Sequence, residues 1–145
     1  MRYDSGFTKN KVSIIALIEK TDTLTVGYDL IDSDHDEFIS LLNKLDAAGN
    51  AEFPALFQHL YEHTEQHFDR ENQLMKQFAY PGEIEHKGEH QRVLGEFKQF
   101  KTRVDKGMIT FGRSFVRERL PQWFGLHVTT MDSALVAHIK ISPQT

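Results

Sequence analysis

The chain of 145 residues is 39% apolar and 26% charged, and its formal net charge is −4 at pH 7. This length suits one domain with its own hydrophobic core, and the composition is that of an ordinary globular protein. The acidic net charge argues against nucleic-acid binding, and the lack of cysteine excludes disulfides and thiolate metal sites.

The first 22 residues are expected to form an extension that docks on a single domain covering residues 23–145. Their most apolar run, VSIIALI at residues 12–18, is far shorter than the ~20 residues that span a bilayer. Glu19 and Lys20 follow at once, without the small residues of a signal-peptide cleavage site. We therefore expect no membrane segment and a cytoplasmic location.

Two amphipathic helices are predicted next along the chain. The first covers about residues 31–48, with Asp32 or Ser33 as its N-cap, and a Gly-Asn pair stops it. The second covers about residues 53–78, because apolar positions recur there at alternating spacings of four and three residues. This periodicity is typical of a helix that packs against other helices.

A third helix is predicted over about residues 83–106 and a fourth over about residues 113–131. Pro121 should kink the fourth helix or begin a new one, because proline lacks the N–H that a helix interior needs. The tail after Met131 carries only a short apolar pattern. Four helices with short connections predict an all-α, up-down-up-down four-helix bundle with an N-terminal extension and a short C-terminal segment.

Seven histidine and carboxylate side chains lie on, or directly after, the apolar stripes of these helices. They are His35, His67, Glu71, His86, His90, His127 and Asp132. Burying an unpaired carboxylate costs several kcal/mol or more, so a divalent cation bound by imidazole nitrogens and carboxylate oxygens would explain the set. Residues four apart lie about 6 Å apart on one helix face, so α-helical His-Glu and His-His pairs can each offer two donors.

The number of donors points to two metal ions. Seven ligands are too many for one tetrahedral zinc ion, whereas they suit two nearly six-coordinate ions that share carboxylates. Imidazole and carboxylate without thiolate favour iron over manganese or zinc. Two Fe²⁺ ions, balanced by Glu71, Asp132 and a bridging hydroxide, would leave the buried site nearly neutral.

Three further histidines fall outside this set. His59 and His63 precede His67 at intervals of four residues, but His59 lies beside the apolar stripe and is expected on the surface. His63 lies at the edge of the stripe, where it could hydrogen-bond a ligand or a water molecule near the entrance. His138 lies in the tail and receives no predicted role.

Four motifs in order along the chain resemble the hemerythrin family, specifically the bacterial hemerythrins. They are VGYDLIDSDH (26–35), HFDRE (67–71), HKGEH (86–90) and WFGLHVTTMD (123–132). Their combined spacing is specific, because every donor type occurs in order and on the expected helix. The resemblance covers most of the chain.

The resemblance implies a role for each of the seven residues. It assigns His35 and His67 to one iron ion, His86, His90 and His127 to the other, and Glu71 and Asp132 to bridges between the ions, beside an oxo or hydroxo group. Dioxygen would bind at the open position of the iron that has two histidines.

The function that the resemblance implies is reversible dioxygen binding for storage, delivery or buffering, rather than catalysis. Dioxygen would be the partner, and any protein partner stays unknown. Phe38, Trp123, Phe124 and Val128 match the positions that line the oxygen pocket of the family.

The chain departs from the family pattern at three places that are not predicted ligands. Thr23, Leu24 and Thr25 stand where the family usually has a tryptophan shortly before the Val-Gly pair. Asn72 replaces the second glutamate of the usual HFxxEE run, and Asp34 stands before the first ligand, where glutamine is common.

Three alternative functions stay open. HLYEH (59–63) and HKGEH (86–90) both fit the H-x-x-E-H pattern of a zinc-peptidase class, with Glu62 or Glu89 as general base. A ferritin-like diiron oxidase or peroxidase would use Glu-x-x-His motifs, of which the sequence offers Glu83-His86. The same iron site could also serve an oxygen- or redox-sensing module that reports to a partner.

Overall fold

The computed structural model describes residues 17–19 and 24–143 of the chain. Within these residues the chain forms four helices and no strand. They are α1 (Asp29–Ala47), α2 (Phe53–Gln77), α3 (Glu83–Asp105) and α4 (residues 109–141). Successive helices are joined by short connections and pack side by side, so the predicted all-α four-helix bundle is confirmed.

The start of α1 differs from its predicted start. The helix begins at Asp29, and no side chain caps its N-terminus, so the prediction of Asp32 or Ser33 as N-cap is wrong. The Asp32 carboxylate instead reaches back to accept hydrogen bonds from the backbone N–H groups of Val26, at 2.8 Å, and Gly27, at 3.0 Å. Gly27 has a φ of +85°, a conformation that glycine adopts without steric cost, and this turn leads the chain into α1.

The helix α4 differs most from the prediction, since it runs on beyond both predicted ends. It contains two π-helical turns within α-helix, in the order Ile109–Ser114 (α), Phe115–Arg119 (π), Leu120–His127 (α), Val128–Asp132 (π) and Ser133–Ile141 (α). In the first π turn the Leu120 N–H bonds to the Phe115 carbonyl, five residues back. A new α-helical stretch thus begins one residue before Pro121, whose missing N–H does not end the helix.

Two apolar clusters fill the bundle. The larger one surrounds the aromatic side chains Phe53, Phe57, Phe97 and Phe115, each of which is at most 1% exposed. The smaller one contains Ile31, Leu74, Met75, Leu135, Val136 and Ile139. Half of the smaller cluster comes from residues 133–141, so the predicted C-terminal segment is part of the bundle core. Along α2, His67 and Glu71 lie between Leu60 of the larger cluster and Leu74 of the smaller one.

The described part of the N-terminal extension contacts the bundle. Leu17 and Ile18 pack against the larger cluster. The Ile18 N–H donates to Asn43 Oδ1 at 3.0 Å, and Asn43 Nδ2 donates to the Ile18 carbonyl at 2.9 Å. Most of the apolar run at residues 12–18 lies outside the described residues, so docking of the whole extension stays a prediction.

The turn after α2 is held by a histidine that the sequence left without a role. His138 Nε2 donates a hydrogen bond of 2.7 Å to the Phe78 carbonyl, and its ring packs on Tyr80 at 5.3 Å. The turn contains Ala79 at a φ of +50°, so the contact fixes a strained connection against α4.

None of the helices formed by the described residues is both long and apolar enough to cross a membrane.

Candidate metal centre

The structure brings all seven predicted donors together in the interior of the bundle. Every helix contributes: His35 comes from α1, His67 and Glu71 from α2, His86 and His90 from α3, and His127 and Asp132 from α4. Each of the seven is at most 5% exposed. The bundle therefore buries two carboxylates and five imidazoles in one place.

The seven side chains form two overlapping groups. In each group the donor atoms lie within 4.8 Å of one another. The two-histidine group contains His35, His67, Glu71 and Asp132, and the three-histidine group contains Glu71, His86, His90, His127 and Asp132. This division coincides with the assignment that the family resemblance implies, with Glu71 and Asp132 common to both groups. The role of each residue as a metal ligand stays a prediction.

The contacts around Glu71 suit a cation better than hydrogen bonds. Its Oε2 lies 3.0 Å from His67 Nε2, and its Oε1 lies 3.0 Å from His90 Nε2 and 3.3 Å from His86 Nε2. Neither carboxylate oxygen nevertheless has a hydrogen-bond partner among the described residues. Buried polar atoms are normally satisfied, so these lone pairs need a charge between them. The donor set, imidazole nitrogen and carboxylate oxygen, fits iron.

Asp132 is the second carboxylate that both groups share. Its Oδ2 lies 2.9 Å from His35 Nε2, and its Oδ1 lies 3.1 Å from the Nε2 atoms of His86 and His127. The Nε2 atoms of His86 and His127 are themselves 3.2 Å apart. Two imidazole nitrogens at this distance need a proton or a cation between them, because two bare lone pairs would repel each other.

The second π turn of α4 makes the approach of His127 and Asp132 possible. On an ideal α-helix, residues five apart point about 140° away from each other. The π turn Val128–Asp132 shifts the backbone hydrogen bonds by one residue and brings both side chains to the interior. The spacing of five residues between His127 and Asp132 was the signal of this turn in the sequence.

The pKa shifts of the buried groups show that positive charge stabilises the centre. Burial raises the pKa of Glu71, but the surrounding imidazoles, His67 foremost, hold that pKa well below its usual value. Burial likewise opposes protonation of His67, but Glu71, Asp34 and Asp132 raise its pKa to about 10. Burial also opposes protonation of His86, but Asp132 and Glu71 raise its pKa to about 9. A metal ion that binds here takes over the charge that protons would otherwise supply.

A second layer of polar residues orients the imidazoles. His67 Nδ1 donates to Asp34 Oδ2 at 3.0 Å, which leaves the Nε2 lone pair facing the centre. Arg70 donates to both Asp34 oxygens, at 2.8 and 2.7 Å. Burial raises the pKa of Asp34, but the hydrogen bonds from His67 and Arg70 lower it to about 2, so Asp34 is an ionised support. On the opposite side, His90 Nδ1 lies 2.9 Å from Asn72 Oδ1.

The two histidines that precede His67 lie outside both metal groups. His59 is exposed, as predicted. His63 is half-buried, and its Nε2 donates to the backbone carbonyl of Asp34 at 3.0 Å. Its ring also lies parallel to that of His67, with centroids 6.3 Å apart. His63 therefore supports the backbone next to His35 and does not itself point into the centre.

An apolar cavity of about 10 Å³ adjoins the centre, where His35 and His67 of the two-histidine group, His127 of the three-histidine group and the shared Asp132 line it. Phe38, Trp123 and Phe124 line it, together with Thr64 and Phe68. That this cavity receives dioxygen stays a prediction. The Thr64 hydroxyl donates to the Leu60 carbonyl at 2.7 Å, so it offers no proton to the cavity. Val128 is fully buried in the larger apolar cluster but is not among the residues that line this cavity.

Aromatic rings cover two of the predicted ligands. Phe68 stacks on His90 with ring centroids 3.9 Å apart, and Trp123 stacks on His127 at 4.6 Å. The Trp123 indole N–H donates to Glu89 Oε2 at 2.8 Å.

The sequence did not reveal the roles of Arg70 and Glu89, because both side chains contact residues of another helix.

Comparison with known proteins decides the family. A family model of the hemerythrin HHE cation binding domain matches residues 26–140, a range that includes all seven donors. The chain belongs to the hemerythrin family. This confirms the resemblance drawn from the four motifs.

Hemerythrins of different origin resemble the chain over most of its length. A bacteriohemerythrin of Ralstonia nicotianae is 34% identical over 116 residues, which cover 80% of this chain and 84% of the relative. A bacteriohemerythrin of Stenotrophomonas maltophilia is 27% identical over 130 residues, covering 87% and 84%. A myohemerythrin of Sipunculus nudus is 28% identical over 111 residues, covering 77% and 84%.

Proposed function

We propose that this chain binds dioxygen reversibly at a pair of non-haem iron ions and serves as a store, carrier or local buffer rather than as an enzyme. The observation that carries the proposal is the arrangement of seven buried donors in two overlapping groups beside a small apolar cavity. Both histidines of the two-histidine group line this cavity, whereas the three-histidine group contributes only His127. When bound, the iron pair supplies the electrons that dioxygen takes up reversibly.

The residues of the chain provide the binding and the shielding. His35 and His67 would hold one ion beside the cavity, and Glu71 and Asp132, which belong to both groups, would hold both ions. Phe38 and Phe124, stacked at a centroid distance of 4.6 Å, form an apolar wall beside His35. Because water and protons promote irreversible oxidation of iron, this wall keeps binding reversible. The cavity, of about 10 Å³, is at the lower limit of the volume that holds one water-sized molecule.

The structure favours this proposal over a zinc hydrolase. In the HLYEH motif, His59 is exposed and His63 bonds to a backbone carbonyl, so the two do not form a metal site together. Glu62 is exposed and accepts a hydrogen bond from Gln58 at 2.7 Å. In the HKGEH motif, Glu89 is bonded to Arg92 and Trp123 and does not face the centre.

The composition of the donor set favours reversible binding over a diiron oxidase. Ferritin-like oxidases surround their metal ions mainly with carboxylates. Here five imidazoles meet two carboxylates within the described residues. Neutral nitrogen donors stabilise high-valent iron less than carboxylates do, and this set therefore suits reversible binding.

The deciding experiment combines metal analysis with absorption spectroscopy. The protein is loaded with Fe²⁺ without air, exposed to air, and then deoxygenated. We expect about two iron ions per chain and charge-transfer bands that form in air and vanish on deoxygenation. Bands that form once and never reverse would overturn the carrier proposal in favour of an oxidase, a peroxidase or a fast-oxidising sensor. One zinc ion and no colour would overturn the diiron site itself.

A further inference from the structure

The two metal groups differ in how their imidazoles are supported from outside. His67, in the two-histidine group, bonds through Nδ1 to the carboxylate of Asp34. His90, in the three-histidine group, bonds through Nδ1 to the neutral amide of Asn72. The Nδ1 atoms of the other three histidines are buried without a hydrogen-bond partner among the described residues. Each group therefore has one supported imidazole, but a charged support is present in the two-histidine group alone among the described residues.

The charged support is rigidly held. Asp34 lies on α1 and Arg70 on α2, and the guanidinium bonds both carboxylate oxygens in the bidentate geometry that fixes such pairs. The Asp34 side chain is 12% exposed, so solvent screens its contact with His67 only weakly. An imidazole that donates to a carboxylate becomes a more basic metal ligand than one that donates to an amide.

The charged support, Asp34, belongs to the metal group that has fewer donor side chains. The two-histidine group offers four side chains, whereas the three-histidine group offers five. By number alone, a divalent cation would bind the three-histidine group more tightly. A more basic imidazole in the two-histidine group raises the affinity of that group and so reduces the difference in affinity between the two groups.

We propose that Asp34 is a positioning residue that raises the affinity of the two-histidine group for its metal ion and so offsets part of the disadvantage of having fewer ligands. The three-histidine group, supported by Asn72, binds through its larger number of donors. The inference rests on the proposed pair of metal sites, but it concerns divalent cations in general and is independent of dioxygen.

The test exchanges charge between the two supports without changing their shape. Asp34→Asn removes the carboxylate beside His67, and Asn72→Asp places one beside His90. Zn²⁺ is titrated calorimetrically into the metal-free protein and each variant. We expect two binding events in the parent protein. We assign the weaker event to the two-histidine group, because it has fewer donors. Asp34→Asn should lower the affinity of that event about 10- to 100-fold and leave the tighter event unchanged. Asn72→Asp should strengthen the tighter event alone.

A third variant separates donor strength from helix packing. Arg70→Met breaks the ion pair between α1 and α2 but keeps the Asp34 carboxylate. If Asp34 acts through its charge on His67, Arg70→Met leaves Zn²⁺ affinity unchanged or raises it. If Asp34 only holds the helices together, Arg70→Met weakens binding as much as Asp34→Asn, and the proposal is overturned.

Two other results would overturn the proposal: an Asp34→Asn variant with unaltered binding, or one in which both events weaken equally. If circular dichroism shows that metal-free Asp34→Asn does not fold, Asn72→Asp decides by itself: an unchanged affinity of the tighter event would show that a carboxylate support does not strengthen metal binding, and would overturn the proposal. The Zn²⁺ pattern can hold in a protein that never binds dioxygen reversibly. Failure of the functional proposal is therefore distinguishable from failure of this one.

Discussion

Trp123 on α4 and Glu89 on α3 are joined by a hydrogen bond of 2.8 Å from the indole Nε1 to the carboxylate Oε2. Arg92 holds the same carboxylate with two further bonds, of 2.9 and 2.8 Å. The Trp123 ring stacks on His127 and also lines the apolar cavity. One side chain thus links a partly exposed ion pair to both a predicted ligand and the cavity wall.

Loss of Glu89 should loosen this ring. Hydrogen bonds to charged groups contribute about 1.5–3 kcal/mol when buried, and the 23% exposure of the Glu89 side chain places its contribution near the lower end. We expect Glu89→Ala to increase acrylamide quenching of tryptophan fluorescence, which reports on Trp123 alone because the chain has one tryptophan. Glu85→Ala, at an exposed position of the same helix, is the control. Equal quenching in both variants would mean that stacking on His127 suffices to hold the ring.

His63 and His67 provide a matched pair of substitutions one helical turn apart. His63 bonds to the Asp34 carbonyl, whereas His67 Nε2 faces Glu71 at 3.0 Å. His63→Ala should therefore retain two metal ions per chain, and His67→Ala should retain at most one. Metal analysis after iron loading and gel filtration measures both. Loss of metal from His63→Ala comparable to that from His67→Ala would show that the ligand set is wrong.

Phe124 should protect the iron from irreversible oxidation. It is 3% exposed, packs edge-on against His35 at 5.2 Å and lines the cavity. Phe124→Leu opens space beside His35, and we expect severalfold faster irreversible loss of the bands that form in air. Phe57→Leu, in the larger apolar cluster away from the centre, controls for loss of packing in general. If both variants lose the bands at the same rate, the cavity wall has no specific protective role.

Gly112 is required where α4 meets α2 and α3. A Cβ atom there would overlap with Val104 and lie 2.8 Å from Cε2 of Phe53. Gly112→Ala should destabilise the bundle by about 1–3 kcal/mol through overpacking. Gly95→Ala, where a Cβ meets no atom within 4 Å, should stabilise α3 by about 1 kcal/mol. Thermal unfolding at one fixed Zn²⁺ concentration compares the two, and a Gly112→Ala variant as stable as the parent would refute the overlap.

The local pattern of the sequence determined the fold class and the donors. The bounds of α2 and α3 agree with prediction to within one residue at each end, because the apolar periodicity is regular and the turns carry Gly and Pro. His67 with Glu71, and His86 with His90, are four apart on one helix, so their common face follows from helical geometry alone. A buried carboxylate needs a counter-charge whatever the details of packing, which made a metal site predictable.

The tertiary structure decided how the centre is supported and how α4 is built. Asp34 meets His67, Asn72 meets His90 and Glu89 meets Trp123 between helices, and such contacts depend on the rotation and depth of each helix in the bundle. Local periodicity carries no information about either quantity. The π turn between His127 and Asp132 likewise departs from the regular helix that pattern analysis assumes. Donor types and order are thus a property of the sequence, whereas the unequal support of the two metal groups arises only when the four helices pack.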